Sequence, residues 1–154
     1  MGLDMYLSES MYLSHYPHSK GTDEYAAAEK ALELTGITPV PDGGGVEIKA
    51  VVLNWRKANA VHQWFVTNVQ DGKDDCGTYY VDDEQLVQLR DTAQRTLRIR
   101  ANAADELPTR EGFFFGSTEY DEWYYENLEA TVAGIDRVLS NKQDGSSFEY
   151  QSSW

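Results

Sequence analysis

The chain has 154 residues, of which 41% are hydrophobic and 12% aromatic; this suffices for one core and is too apolar for a disordered chain, so a single domain over residues 1 to 154 is predicted. Twenty-six acids against 13 Lys and Arg give a net charge of −13, which disfavours direct nucleic-acid binding, because phosphate contact needs a basic face. No apolar run approaches the ~20 residues of a membrane span, the start "MGLDMYLSES" lacks a leader pattern, Tyr6 stands where a myristoylation signal has Ser or Thr, and the single Cys76 excludes an internal disulfide, so a cytoplasmic, membrane-free protein is expected.

Residues 3 to 14 alternate loosely and predict one or two strands, broken near Ser8 to Ser10. Thr22 or Asp23 caps a helix to about Thr35, which Gly36 and the prolines of "GITPVPDGGG" end. "VEIKAVVLN" is apolar at nearly every position after Ile48 and predicts a central strand buried on both faces at its end. Asn54 is then the expected cap of a helix over "WRKANAVHQWFVTNVQ". "DGKDDCG" is a turn and "TYYV" a short strand. Asp82 with Gln85 makes a capping box for a helix to about Arg100, with Leu86, Leu89, Ala93 and Leu97 as its buried stripe. "ANAADELPTREG" is expected as a surface loop, "FFF" as a buried strand or loop anchor, and Thr118 as the cap of the last long helix, to about Leu139. "FEYQSSW" closes the chain as a strand. Strands and helices mix without regular βαβ units, and no repeat or heptad seam is present. The fold class is therefore α+β: a small mixed or antiparallel sheet packed, mainly on one face, by three to four helices.

Helical winding of residues 55 to 70 places His62 among Ala58, Val61, Phe65, Val66 and Val69, facing the core, and places Trp64 on the opposite, exposed face as a candidate contact residue. Winding of residues 118 to 139 turns Tyr120, Asp121, Tyr124, Leu128, Thr131, Val132, Ile135 and Leu139 inward. Glu119, Glu122, Glu126 and Glu129 fall outside that arc as an acidic flank, with Trp123 and Tyr125 as candidate anchors. Thr118 and Asp121 read as a helix start, and acids there suit the helix dipole. Asp121 and His62 both point inward; packed together they make either a structural buried pair or an acid/base dyad, with Arg56 and Asn59 at the rim of the same crevice.

Other chemistry finds little support. There is no G-x-S-x-G, and Cys76 lies beside Asp74 and Asp75, a setting opposite to that of a nucleophilic thiol. His15 and His18 straddle Pro17 with no second pair of soft ligands, and "DGKDD" lacks the spacing of a calcium loop, so neither metal nor cofactor is expected. The Arg90, Arg95, Arg98 and Arg100 set spreads over more than one helix face and reads as solvation and ion pairing with Asp91 and nearby acids.

The words "MGLDMYL", "WRKANAVHQWFV", "DDC", "GFFFGSTEYDEWYYENL" and "YQSSW", in this order over nearly the whole chain, resemble a family of small proteins encoded by phages and prophages. The resemblance implies a phage accessory product acting inside a bacterial cell, and brings no catalytic residues with it. Two readings follow. In the first, Glu119, Glu122, Trp123, Glu126, Glu129 and Trp64 bind and inhibit a basic host protein, one that handles nucleic acid in defence, of the anti-CRISPR or anti-restriction kind. In the second, a crevice of Arg56, Asn59, His62, Asp121 and the "FFFGS" turn binds a small molecule or nucleotide, with His62 and Asp121 moving a proton. Absent catalytic motifs and the acidic span from Asp105 to Glu129, where Arg110 is the one base among eight acids, favour the first.

Overall fold

The computed structural model describes residues 2–154. Strands β1 (Asp4–Ser14), β2 (Gly45–Arg56), β3 (Thr78–Val81) and β4 (Ser147–Ser153) form one antiparallel sheet in the order β2-β1-β4-β3. The helices are α1 (Asp23–Thr35), α2 (Asn59–Asn68), α3 (Asp83–Arg98), the single-turn α4 (Ala103–Glu106) and α5 (Glu122–Asn141). The class is α+β, as the sequence predicts.

Register decides which face each strand residue covers. Met5 and Leu7 on β1, Trp55 and Leu53 on β2, Phe148 and Tyr150 on β4, and Val81 on β3 share the inner face. Phe65 of α2, Leu86 and Leu89 of α3, and Leu128 and Ile135 of α5 join them in the core. Phe65 stacks on Tyr150 with centroids 3.8 Å apart, and Trp55 Nε1 donates to Thr131 Oγ1 at 2.9 Å, fastening β2 to α5. Gly134 is what lets α5 come so near: a Cβ there would meet Leu53 Cδ1 at 2.5 Å. The opposite face leaves Tyr6, Tyr12, Val51 and Tyr80 exposed.

Several expectations need correction. The amino-terminal strand is not broken at Ser8 to Ser10; β1 runs through, and the irregularity is a bulge in its pairing between Leu7 and Ser8, where the β2 partner jumps from Leu53 to Val51. β2 is an edge strand and mostly exposed, because β4 takes the other side of β1. An edge of this length invites pairing with other chains, and the bulge at Val52, whose carbonyl accepts from Arg137, together with Lys49, blunts it. Asn54 is not a cap: Arg56 still pairs with Asp4, so the strand outlasts the expected helix start, and α2 begins after Ala58. The expected loop from residue 101 contains α4, which buries Ala103 and is followed by buried Leu107.

Other local signals hold. Thr22 Oγ1 accepts from Tyr25 N and Gly36 ends α1 in the left-handed conformation at φ 71°; Asp82 and Gln85 form the reciprocal capping box of α3. Leu86, Leu89 and Ala93 are buried on α3, with Leu97 at the core margin.

Candidate functional site

The first turn of α5 differs from its expected geometry by one residue set. The cap is Asp121, whose Oδ1 accepts from Tyr124 N at 3.0 Å, and not Thr118. A capping carboxylate points along the helix end towards solvent, so Asp121 is exposed and has no contact with His62. The inferred dyad is not assembled. Tyr120 also stays partly exposed, packing edge-on against Tyr124. Tyr125, proposed as an anchor, is buried and lies under the Arg100 guanidinium, 4.0 Å from its ring centroid.

His62 does face the core and is fully buried. Its partners come from elsewhere in the chain. Nδ1 lies 2.7 Å from the Tyr150 hydroxyl and Nε2 lies 3.1 Å from Asp74 Oδ1. The carboxylate oxygen sits off the line of the ring N–H, so this second contact is chiefly charge–dipole attraction and not a well-formed hydrogen bond. A proton on Nε2 faces the carboxylate, which leaves Nδ1 to accept from Tyr150; this tautomer follows from charge. Burial pushes the His62 pKa down, against the opposing pull of Asp74 and with a further push from Arg110. Burial likewise raises Tyr150 well above an ordinary phenol. Both groups are therefore neutral near pH 7 and, with no exposed surface, neither meets a substrate as the chain stands.

Asp74 is the hub of this cluster. Its Oδ1 also accepts from Trp154 Nε1 at 3.0 Å, and its Oδ2 pairs with Arg110 Nη2 at 3.0 Å. Arg110 in turn donates from Nη1 to Gln63 Oε1 at 2.9 Å. One largely buried carboxylate thus ties together α2, the turn before β3, the segment before α5 and the end of β4.

Asn59, expected at a crevice rim, is buried and staples the aromatic segment. Its Nδ2 donates to Phe115 O at 3.1 Å and to Ser117 O at 2.8 Å, and its Oδ1 accepts from Arg110 N at 3.1 Å. Leu3 N holds the Phe114 carbonyl at 3.2 Å. Of the three phenylalanines only Phe115 is a buried anchor, edge-on to His62 with centroids 5.4 Å apart. Phe113 is 88% exposed and Phe114 45%. Phe114 adopts φ 136°, a conformation costly for a residue with a side chain, about 1–3 kcal/mol. The network of Asn59 and Leu3 offsets that strain and holds two large apolar rings in solvent.

Beside this segment, Asp74, Arg110, Gly112, Phe113, Phe115 and Trp154 wall a pocket of about 220 Å³. A second cleft, between the start of α2 and the start of α5, is lined by Asn59, Ser117, Glu119, Asp121 and Trp123; its 20 Å³ admits a single water. Arg56 belongs to neither. It pairs loosely with Asp4 at 3.6 Å on the exposed end of β2.

The acidic flank is on the surface as expected. Glu119, Glu122, Glu126 and Glu129 are exposed, and Trp123 among them is 53% exposed. Glu122 alone approaches a cation, Arg100 Nη1 at 3.5 Å in solvent, while Glu119, Glu126 and Glu129 lie in no ion pair among the described residues. On α3, Arg90 is taken by Asp91 and Asp136 and Arg95 by Glu106, while the exposed Arg98 lies in no ion pair among the described residues. Trp64 does not join the flank. It is buried, because residues 106 to 108 and α3 close over the side of α2 that winding alone leaves open.

No group of three His, Cys, Asp or Glu placed to hold a metal ion occurs among the described residues, and none of their helices is long and apolar enough to cross a membrane. Sequence reading missed Tyr150 and Asp74 as the partners of His62, and Arg110 as the partner of Asp74. The signal was faint: Asp74 and Arg110 are charged residues in polar loops, and Tyr150 lies on β4, 88 residues from His62 in the chain. Comparison with protein-family models, curated proteins and solved structures returns no match to this chain.

Proposed function

We propose that this protein is a phage-type acidic accessory protein that binds a basic host protein, a nucleic-acid-handling defence component, and inhibits it in the host cytoplasm by presenting carboxylates where phosphates would otherwise lie. The observation that carries the reading is Trp123: a half-exposed indole set among Glu119, Glu122, Glu126 and Glu129, most of which have no cation of their own. Aromatic anchors within a charged rim are the composition of a tight interface. The net charge of −13 steers such a surface towards a basic partner and away from nucleic acid. The phage context rests on the resemblance of the sequence words alone.

The test uses the wild type and a variant with all four glutamates changed to Gln as baits in a bacterial lysate, with mass spectrometry of what is retained. The reading expects a basic, nucleic-acid-handling protein on the wild type that is lost from the variant and released by high salt. Retention of the same partner by both baits at every salt concentration would end it.

A further inference from the structure

The pocket beside Asp74 presents more ring surface and more negative charge than its own network uses. Asp74 and Arg110 neutralise each other at 3.0 Å. The rest of the lining is Phe113, Phe114, Phe115 and Trp154, of which Phe115 forms the buried floor, and Glu111, which has no cation partner among the described residues. Trp154 is 52% exposed, and it meets Phe115 edge-on at 5.9 Å. Rings around an unpaired carboxylate attract a cation, through the negative ring faces and through the charge. One wall already shows the preference: the Arg110 guanidinium lies 5.7 Å from the Phe115 centroid. A volume of about 220 Å³ suits one side chain, being smaller than the pockets that hold drug-sized ligands. The strained Phe114 backbone, held by Leu3 and Asn59, keeps the rings in place before any ligand arrives.

We propose that this aromatic pocket receives a cationic side chain of the partner, a guanidinium ahead of an ammonium, between Phe113 and Trp154 with Glu111 as counter-charge. The proposal rests on the reading of a basic partner above and gives that partner a specific anchor, separate from the α5 flank. A planar guanidinium stacks on a ring while its N–H groups meet the carboxylate, which is why arginine is the better occupant.

The probe is a capped Gly-Arg-Gly peptide titrated into the full chain and read from the backbone amide signals of Gly112 and Gly116. A Gly-Lys-Gly peptide and the neutral Gly-citrulline-Gly isostere serve as comparisons. The expected result is saturable shifts with arginine, weaker ones with lysine and none with citrulline. Glu111→Gln should weaken arginine binding by about threefold. Trp154→Leu should weaken it by roughly fivefold. Thermal unfolding of each variant checks that the fold is kept, and Glu111→Gln, at an exposed side chain, keeps the test valid if Trp154→Leu does not fold. Equal shifts from citrulline and arginine, no shift from arginine, or arginine shifts unaltered by Glu111→Gln would each overturn the proposal. Because the four-glutamate variant leaves this pocket intact, it should bind the arginine peptide as the wild type does. A peptide that binds while no partner is captured removes the broader reading and leaves the pocket; a captured partner with no peptide binding does the reverse.

Discussion

Asp74 and the glutamates of α5 are the same functional group in opposite circumstances. Asp74 is largely buried, with Arg110, Trp154 and His62 around it, whereas Glu119, Glu126 and Glu129 stand in solvent with no cation beside them. The first carboxylate is used up by the fold, and the others are left over. Net charge alone does not separate these cases; what separates them is how many donors surround each oxygen. Predictions that remove one kind or the other therefore test whether the division between scaffold and surface is real.

The largest effect belongs to Asp74→Ala. It leaves Arg110 and the Trp154 indole without their shared acceptor and the His62 ring without the carboxylate beside it, and removing one partner of a buried charge pair costs about 3–5 kcal/mol. Arg110 is partly exposed and water will serve some of its donors, which puts the expectation near the lower end, about 3 kcal/mol by chemical denaturation. A loss below about 0.5 kcal/mol, the range of ordinary surface changes, would place Asp74 with the surface carboxylates.

Next is Asn59→Ala, which deletes the bonds to Phe115 O, Ser117 O and Arg110 N without touching any charge. Unsatisfied buried groups of this kind cost about 1–3 kcal/mol. The strain at Phe114 would lose its support, so limited proteolysis should cut near residues 112 to 117 faster in the variant while α5 stays protected. Equal cutting rates would show that Leu3 and Phe115 hold the segment unaided.

A third test uses acidity. The folded-state pKa of His62 is below its ordinary value of 6.5, chiefly through burial. Above that value the imidazole is neutral in both folded and unfolded chains and costs nothing. As the pH falls below it the unfolded chain takes up a proton that the core refuses, so stability falls, by at most about 1.4 kcal/mol per pH unit, until the folded pKa is reached. His62→Gln, whose amide can face Asp74, should flatten that part of the wild-type profile. An unchanged slope between pH 6.5 and 5 in the variant would assign the loss to other groups.

The same division explains what was legible in the chain. Caps written in local sequence came through: Thr22 for α1, and Asp82 with Gln85 for α3. So did the short strands "TYYV" and "FEYQSSW", and with them the fold class. Errors arose where a distant segment decides. "VEIKAVVLN" reads as a buried central strand, but strand order put it at an edge. Asn54 and Thr118 are good caps by type; pairing of Arg56 with Asp4 and the choice of Asp121 overrode them. The candidate site was half legible. Periodicity turned His62 inward correctly, yet a helical wheel does not identify the partner waiting there, and Asp74 arrives from a turn that looks like ordinary surface. Trp64 failed for the related reason that a wheel sees one helix and not the loop that covers it.

The smallest stability effect is expected where the largest binding effect lies. Changing Glu119, Glu122, Glu126 and Glu129 to Gln removes the loose Arg100 contact, an exposed pair of little value, and some favourable charge near the start of α5. It also removes repulsion between Glu122 and Glu126 four residues apart, and between Glu126 and Glu129 three apart, on one helix. These changes oppose one another, so the unfolding free energy should move by less than about 0.5 kcal/mol. If the four residues instead proved worth several kcal/mol to the fold, they would be scaffold like Asp74, and their charge would need no partner. Unchanged stability together with lost capture of a basic protein is the pairing of results that only a surface kept for binding produces.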